Sequence, residues 1–236
     1  MNILPFGDQA LLVNFEQRID SNLSARIVTL ANRLRNADQK GITYVIPSYC
    51  SLVVGYDPQE LTYLVLEANI MAFSQDLTNL PEEDLGRRLI IPVCYDEAFG
   101  IDLEEVERQT GLPSKEIIRL HCQEIYHVFL IGFLPGFPYL GKLVKELDCS
   151  RKATPRLRVP AKSVGIAGLQ TGIYPDEVPG GWQIIGRTPA PIFAPQEPNP
   201  FLFSPGDRVQ FKSISMSEFR ALEAEVKISP IDWSIL

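Results

Sequence analysis

The sequence predicts an α+β chain in two parts: a small ferredoxin-like α/β domain over residues 1–84, then a closed or sandwiched β body over residues 85–236. Two counts and one pattern carry this reading. Only four of the 19 prolines (Pro5, Pro47, Pro58 and Pro81) fall in residues 1–84, roughly the first third, and the other fifteen lie from Pro92 onward. Ten of the 16 glycines stand between Gly132 and Gly206. Proline lacks the donor that a helix interior or a sheet ladder needs, and glycine supplies turns with positive φ. The first third therefore suits regular elements, and the remainder suits many short strands broken by turns. Within the first third, short apolar runs alternate with stretches of helical periodicity, the order of a small α+β layer.

Asn2–Phe6 and Ala10–Phe15 are apolar runs parted by Gly7-Asp8, a hairpin signal. Leu23, Ile27, Leu30 and Leu34 recur at helical spacing behind Asp20 and Ser21, either of which can cap. Ile42–Ile46 and Leu52–Tyr56 alternate like strands around Pro47-Ser48. Asp57, Pro58 and Glu60 predict the start of a second helix with Leu61, Leu64, Val65 and Ala68 as its buried stripe. The acidic Pro81–Asp84 run reads as a solvated linker, and Arg88–Val93 as a strand.

Beyond it, Asp102 and Glu105 predict a capping box, and Gly111 a left-handed stop. Ser114–Cys122 reads as a further helix that places His121 at its C-terminal end. Tyr126–Ile131, Val164–Ala167, Trp182–Ile185, Pro191–Phe193 and Arg208–Phe211 read as strands, and Ser217–Glu225 as a last short helix.

Composition narrows the function. With 45% hydrophobic and 22% charged residues the chain is not disordered. Its 29 acidic against 22 basic residues give a net charge of −7, a poor match to nucleic acid. No stretch approaches the roughly 20 apolar residues of a membrane span, and the N-terminus has no signal-peptide pattern. Cys50, Cys94, Cys122 and Cys149 are scattered without a CxxC pair, as expected of reduced thiols in a cytoplasmic protein.

Four stretches bear chemistry. Gly136 to Lys142 fits the letters of the phosphate-binding loop GxxxxGK. However, Leu143 stands where Ser or Thr must hold magnesium, Pro138 removes a donor, and no helix start follows. Lys142, Lys145, Arg151, Lys152, Arg156, Arg158 and Lys162 form a basic cluster opposed only by Glu146 and Asp148. On a strand, Arg156 and Arg158 project to one face, an arrangement suited to a carboxylate or phosphate; a solvated, salt-bridged surface is the plain alternative. His121 is the candidate acid/base, since a helix C-terminus favours imidazolium; two histidines without HExxH spacing make no zinc site. Finally, Gly165–Pro175 and Pro179–Trp182 pack glycines beside Gln170, Thr171 and Tyr174, a pattern of neutral donors and exposed amides at an anion pocket or of tight β corners.

Several ordered motifs then make a resemblance. These are His121-x4-Tyr126, Gly132-Phe-Leu-Pro-Gly-Phe-Pro-Tyr-Leu-Gly141, Thr154-Pro-Arg156, Ser163-Val-Gly-Ile-Ala-Gly168, Gln170-Thr-Gly-Ile-Tyr-Pro175 and Pro179-Gly-Gly-Trp-Gln-Ile-Ile-Gly-Arg-Thr-Pro189. Together with Pro5–Ala10, they resemble the allophanate hydrolase subunit 1 family. That resemblance implies a cyclophilin-like β-barrel as the second domain. It also implies ATP-dependent opening of 5-oxo-L-proline to L-glutamate, with subunits A and C of a 5-oxoprolinase as partners. Mg2+ would accompany the nucleotide, in a pocket shared with a partner or on the partner alone. On that footing Arg156 and Arg158 hold the anion, Gln170, Thr171 and Tyr174 steer the lactam, and His121 moves a proton. The same family also implies two other roles, inhibition of a sensor histidine kinase and a place in urea degradation. The family pattern has Gly where Lys162 stands and Pro where Ser150 stands.

Overall fold

The computed structural model describes residues 1–75, 77, 86–226, 232 and 233. They fall into two units, Met1–Gly86 and Arg87–Leu236. The acidic Pro81–Asp84 run lies outside the described residues.

The first unit opens as the expected hairpin: β1 (Asn2–Pro5) turns at Gly7, φ +69°, and pairs antiparallel with β2 (Ala10–Asn14). Of the two candidate caps, Asp20 starts α1 (Ser21–Asn36); its Oδ1 accepts from the Leu23 amide at 2.9 Å. Leu23, Ile27, Leu30 and Leu34 are all buried, as their spacing requires. β3 (Ile42–Pro47) and β4 (Ser51–Tyr56) complete an antiparallel sheet of order β1-β2-β4-β3. Leu11, Val13, Val45, Leu52 and Val54 share a core with the buried stripe of α1. A ferredoxin-like layer takes its fourth strand after the second helix. Here the edge beside β2 is filled by β1 instead, and among the described residues the next strand after the second helix belongs to the second unit.

That second helix starts later than the sequence suggests. Asp57 does cap a turn, its Oδ1 accepting from Gln59 and its carbonyl from Glu60 and Leu61. Thr62 is extended (φ −84°, ψ 155°), however, and becomes the N-cap of α2 (Tyr63–Phe73). The new frame buries Leu66 and Ile70 and turns Leu64, Val65 and Ala68 outward; Leu64 is 74% exposed.

In the second unit seven strands close into a barrel. They are β5 (Arg88–Cys94), β6 (Ile125–Ile131), β7 (Pro138–Gly141), β9 (Ser163–Ala167), β10 (Gln170–Ile173), β12 (Gln183–Arg187) and β13 (Arg208–Ile214). Their order is β10-β7-β6-β13-β5-β12-β9, and β9 returns to pair with β10. β5 and β13 run parallel; the other neighbours are antiparallel. β8 (Arg156–Val159) and β11 (Val178–Gly180) form a separate two-stranded ribbon. Leu89, Ile91, Val128, Val164, Ile166, Val209 and Phe211 alternate inward along their strands and fill the interior.

α3 (Leu103–Thr110) ends at Gly111, φ +73°, as predicted, and α4 (Ser114–Gln123) ends just after His121. α5 (Met216–Val226) closes the described fold. Pro191–Phe193, expected as a strand, is not one. Pro191 brings no donor to a ladder, and Phe193 makes a single bridge to Phe201, its ring stacked there at 5.2 Å. Among the described residues no helix is long and apolar enough to cross a membrane.

Candidate functional site

His121 sits where the sequence places it, but in different surroundings. It is 0% exposed, and both ring nitrogens are taken: Nδ1 lies 2.7 Å from Tyr95 Oη and Nε2 2.9 Å from Thr171 Oγ1. Thr171 Oγ1 donates to the Gly165 carbonyl at 3.1 Å, so it accepts from His121 Nε2–H, and Nδ1 accepts from the Tyr95 hydroxyl. This chain of bonds is satisfied only with a neutral imidazole. Burial lowers the His121 pKa to about 3 instead of leaving it near neutral as the helix C-terminus suggested. The expectation that His121 carries a proton for substrate is corrected accordingly: desolvation outweighs the helix dipole, and no ring nitrogen remains to meet a ligand.

A pH dependence follows. Burial also lowers His127, on β6, to about 4. Both folded values lie below the 6.5 of free imidazole, so the unfolded chain takes up protons that the folded chain refuses. Stability is therefore held above pH 6.5 and lost as pH falls below it. At about 1.4 kcal/mol per pH unit per histidine, the pair should cost about 4 kcal/mol by pH 5. Urea-unfolding midpoints measured from pH 7.5 to 5 should drop steeply, and His127→Gln should halve the slope. A flat profile would contradict the buried-neutral assignment.

Asp102 also departs from expectation. It precedes α3 but makes no side-chain cap; its carboxylate, 3% exposed, turns toward the ribbon instead. Oδ2 accepts from Arg156 Nη1 at 2.5 Å and from the Ile184 amide at 2.8 Å, while Oδ1 accepts from Arg156 Nη2 at 2.6 Å and Lys152 Nζ at 3.0 Å. Burial alone would raise its pKa, but these donors outweigh that and hold it below the usual carboxylate value. Arg156 is thus already occupied. Arg158, 82% exposed, reaches only toward Glu177, at 3.7 Å. The two guanidiniums share a strand but do not converge on one ligand, because each has its own carboxylate.

What the fold does gather is a cleft of about 270 Å³ walled by Phe133, Tyr139, Tyr174 and Trp182, with Arg151 and Lys152 on its rim and Pro179–Gly181 along one side. Beneath it Phe137, 1% exposed, makes edge contacts to all four rings at centroid distances of 4.9–5.7 Å. Two glycines permit this packing. A Cβ on Gly180 would lie 2.6 Å from Tyr174 Oη, and one on Gly172 would lie 3.0 Å from both Phe137 and Trp182. Arg151 stands over the Trp182 ring at 5.9 Å. An apolar pocket edged by cations suits a small, flat anion.

Of the residues singled out from sequence, Tyr174 lines this cleft. Thr171 joins His121 inside the barrel, and Gln170, half-buried, sits in the β10 ladder opposite Gly141 and Ala167. Arg151 and Lys152 belong to the predicted basic cluster, but nothing in the sequence distinguishes them within it. Asp102 reads there only as a cap, since its partners lie about fifty and eighty residues away. The GxxxxGK letters fall largely on β7, a barrel strand, so they form no phosphate cradle. Lys162 has φ +65°, the left-handed region glycine favours, which explains the family's Gly; its Nζ reaches the Pro189 carbonyl at 3.1 Å. Ser150 donates its amide to Gln109 Oε1 at 2.8 Å, a bond that proline would forfeit.

With an antiparallel α+β layer followed by a closed barrel, the chain has the fold of a carboxyltransferase-type domain. The crystal structure of TTHA0988 shares it, with a TM-score of 0.77 at 36% identity over 88% of this chain; this chain spans 40% of that one. The chain belongs to the family described as carboxyltransferase domain, subdomain C and D, which matches residues 1–203, and its resemblance to the allophanate hydrolase subunit 1 family holds. Among its relatives, the 5-oxoprolinase B subunit of Bacillus subtilis (strain 168) is 39% identical over 93% of this chain and 95% of its own length. The protein of the same name in Escherichia coli O157:H7 is 39% identical over 87% and 92%.

Proposed function

We propose that this chain is the B subunit of an ATP-dependent 5-oxoprolinase that opens 5-oxo-L-proline to L-glutamate together with subunits A and C. The observation that carries this is the near end-to-end match to the B subunit of Bacillus subtilis. In this reading the barrel is of cyclophilin-like type, and residues 1–84 are a ferredoxin-like variant with the hairpin strand in the fourth strand's place. Its own site contributes binding. Arg151 and Lys152 take the substrate carboxylate, and the rings around Phe137 keep water from it. Neutral His121 positions β10 through Thr171 and leaves proton transfer to other groups. The residues that spell a phosphate loop do not fit one, so ATP and its Mg2+ fall to a partner subunit, and no step in this chain runs through them.

The test is reconstitution. The chain alone should form no glutamate from 5-oxo-L-proline and ATP, and should support turnover when mixed with A and C. Arg151→Gln should raise KM at least tenfold in that mixture, measured by glutamate release. A folded three-subunit mixture that makes no glutamate would remove the reading.

A further inference from the structure

Three residues other than glycine have positive φ among the described residues: Asp38, Phe133 and Lys162. Asp is of a type that tolerates this region in turns, and Lys162 anchors its ammonium on the Pro189 carbonyl. Phe133 has neither reason. At φ +68° a bulky side chain is a genuine outlier.

The loop between β6 and β7 imposes that conformation. Ile131 pairs with Pro138 at its base. Above them the Gly132 amide donates to the Phe137 carbonyl at 3.1 Å, and the Phe137 amide donates to the Leu134 carbonyl at 3.1 Å. The Leu134 amide donates to the Gly132 carbonyl at 2.8 Å, closing a three-residue turn on Phe133. Such γ-turns of positive φ are rare and strained. Glycine adopts positive φ at no steric cost, and the same loop already uses it at Gly136, φ +86°.

Burial does not offset the strain. Phe133 is 63% exposed, and its ring contact among the described residues is with Phe137, edge to face at 5.7 Å and 87°. The other aromatic walls of the cleft are different: Tyr174 and Trp182 are buried, and Tyr139 is half-buried. A strained, solvent-facing ring on the wall of a cleft gains little from the fold itself. Strain of this kind collects at ligand sites.

We propose that Phe133 is a specificity-determining residue of the aromatic cleft: its ring closes face to face over a bound anion and selects ligands that are planar there. A planar group meets a phenyl face across its whole area, whereas a puckered ring holds it off with out-of-plane hydrogens. The amide of a lactam is planar. The inference therefore deepens the 5-oxoprolinase reading and rests on it for that particular ligand.

Calorimetric titration of the full chain, alone and with A and C, tests this with furan-2-carboxylate, the S form of tetrahydrofuran-2-carboxylate, and 5-oxo-L-proline. The first two share their heavy atoms and differ in planarity. Furan-2-carboxylate and 5-oxo-L-proline should each bind about fivefold more tightly than the puckered ligand. Phe133→Gly should bring that ratio near one by weakening the flat ligands alone, while the urea-unfolding midpoint stays or rises. A ratio near one in the wild type, a ratio that survives Phe133→Gly, or no binding of any probe would overturn the assignment. So would a midpoint that falls with the ratio, since the ring would then be structural. Should Phe133→Gly fail to fold, Phe133→Asn, which tolerates the same φ, takes its place. Preference for flat ligands without glutamate production would sink the enzyme reading and leave Phe133 assigned. Glutamate production without that preference would do the reverse.

Discussion

Asp102→Ala should lower folding stability by about 3–5 kcal/mol, the cost of removing one partner from a buried ion pair. The reason is what stays behind. Arg156 and Lys152, each about a quarter exposed, and the Ile184 amide would face a vacated space with no acceptor in reach. Asp102→Asn keeps the shape but removes the charge, and should cost roughly half as much, about 2 kcal/mol. The variant also loosens the segment from Lys152 to Arg156 that borders the aromatic cleft, so its KM for an anionic substrate should rise more than its kcat falls. Denaturant unfolding of both variants checks the ordering; an Asp102→Ala protein as stable as its parent would show that the carboxylate holds nothing together.

Phe137→Ala should cost a similar amount, about 3–5 kcal/mol, as expected for deleting a buried aromatic. Phe137 touches four rings at once, and Gly172 and Gly180 leave no side chains to collapse inward. The cavity would therefore persist, and Trp182 would lose the contact that orients it beneath Arg151. Near-ultraviolet circular dichroism should weaken along with stability, while Phe137→Leu should recover more than half of the loss. A small effect of Phe137→Ala on both readouts would mean that the ring cluster packs independently of its centre.

The parts of the fold legible in the sequence are those written locally. Leu23, Ile27, Leu30 and Leu34 announce their helix through spacing, and Gly111 its end through the need for positive φ. The start of α2 is misleading because Asp57 and Pro58 form a turn that resembles a helix start; only the extended backbone at Thr62 separates the two. At the site, Tyr174 and the glycine-rich segment are visible as a dense run of special residues. The pairing of Asp102 with Arg156 is not, because a capping position and a long-range ion pair place the same residue before a helix. His121 illustrates the same limit: its helix-end position is local, whereas the Tyr95 and Thr171 partners that keep it neutral come from distant strands and segments.

The parallel pairing of β5 with β13 has a consequence for how the protein is made. Arg88 lies beside Arg208, so the first strand of the barrel waits for one of its two neighbours until the segment around Arg208 has left the ribosome. Until then its edge stands open, a template for stray strands. Such distant closure slows folding relative to a helical protein of equal size. Chaperone dependence during synthesis should thus concentrate in the barrel half, while the N-terminal layer, whose described strand pairs all join residues within the first 56, can assemble early.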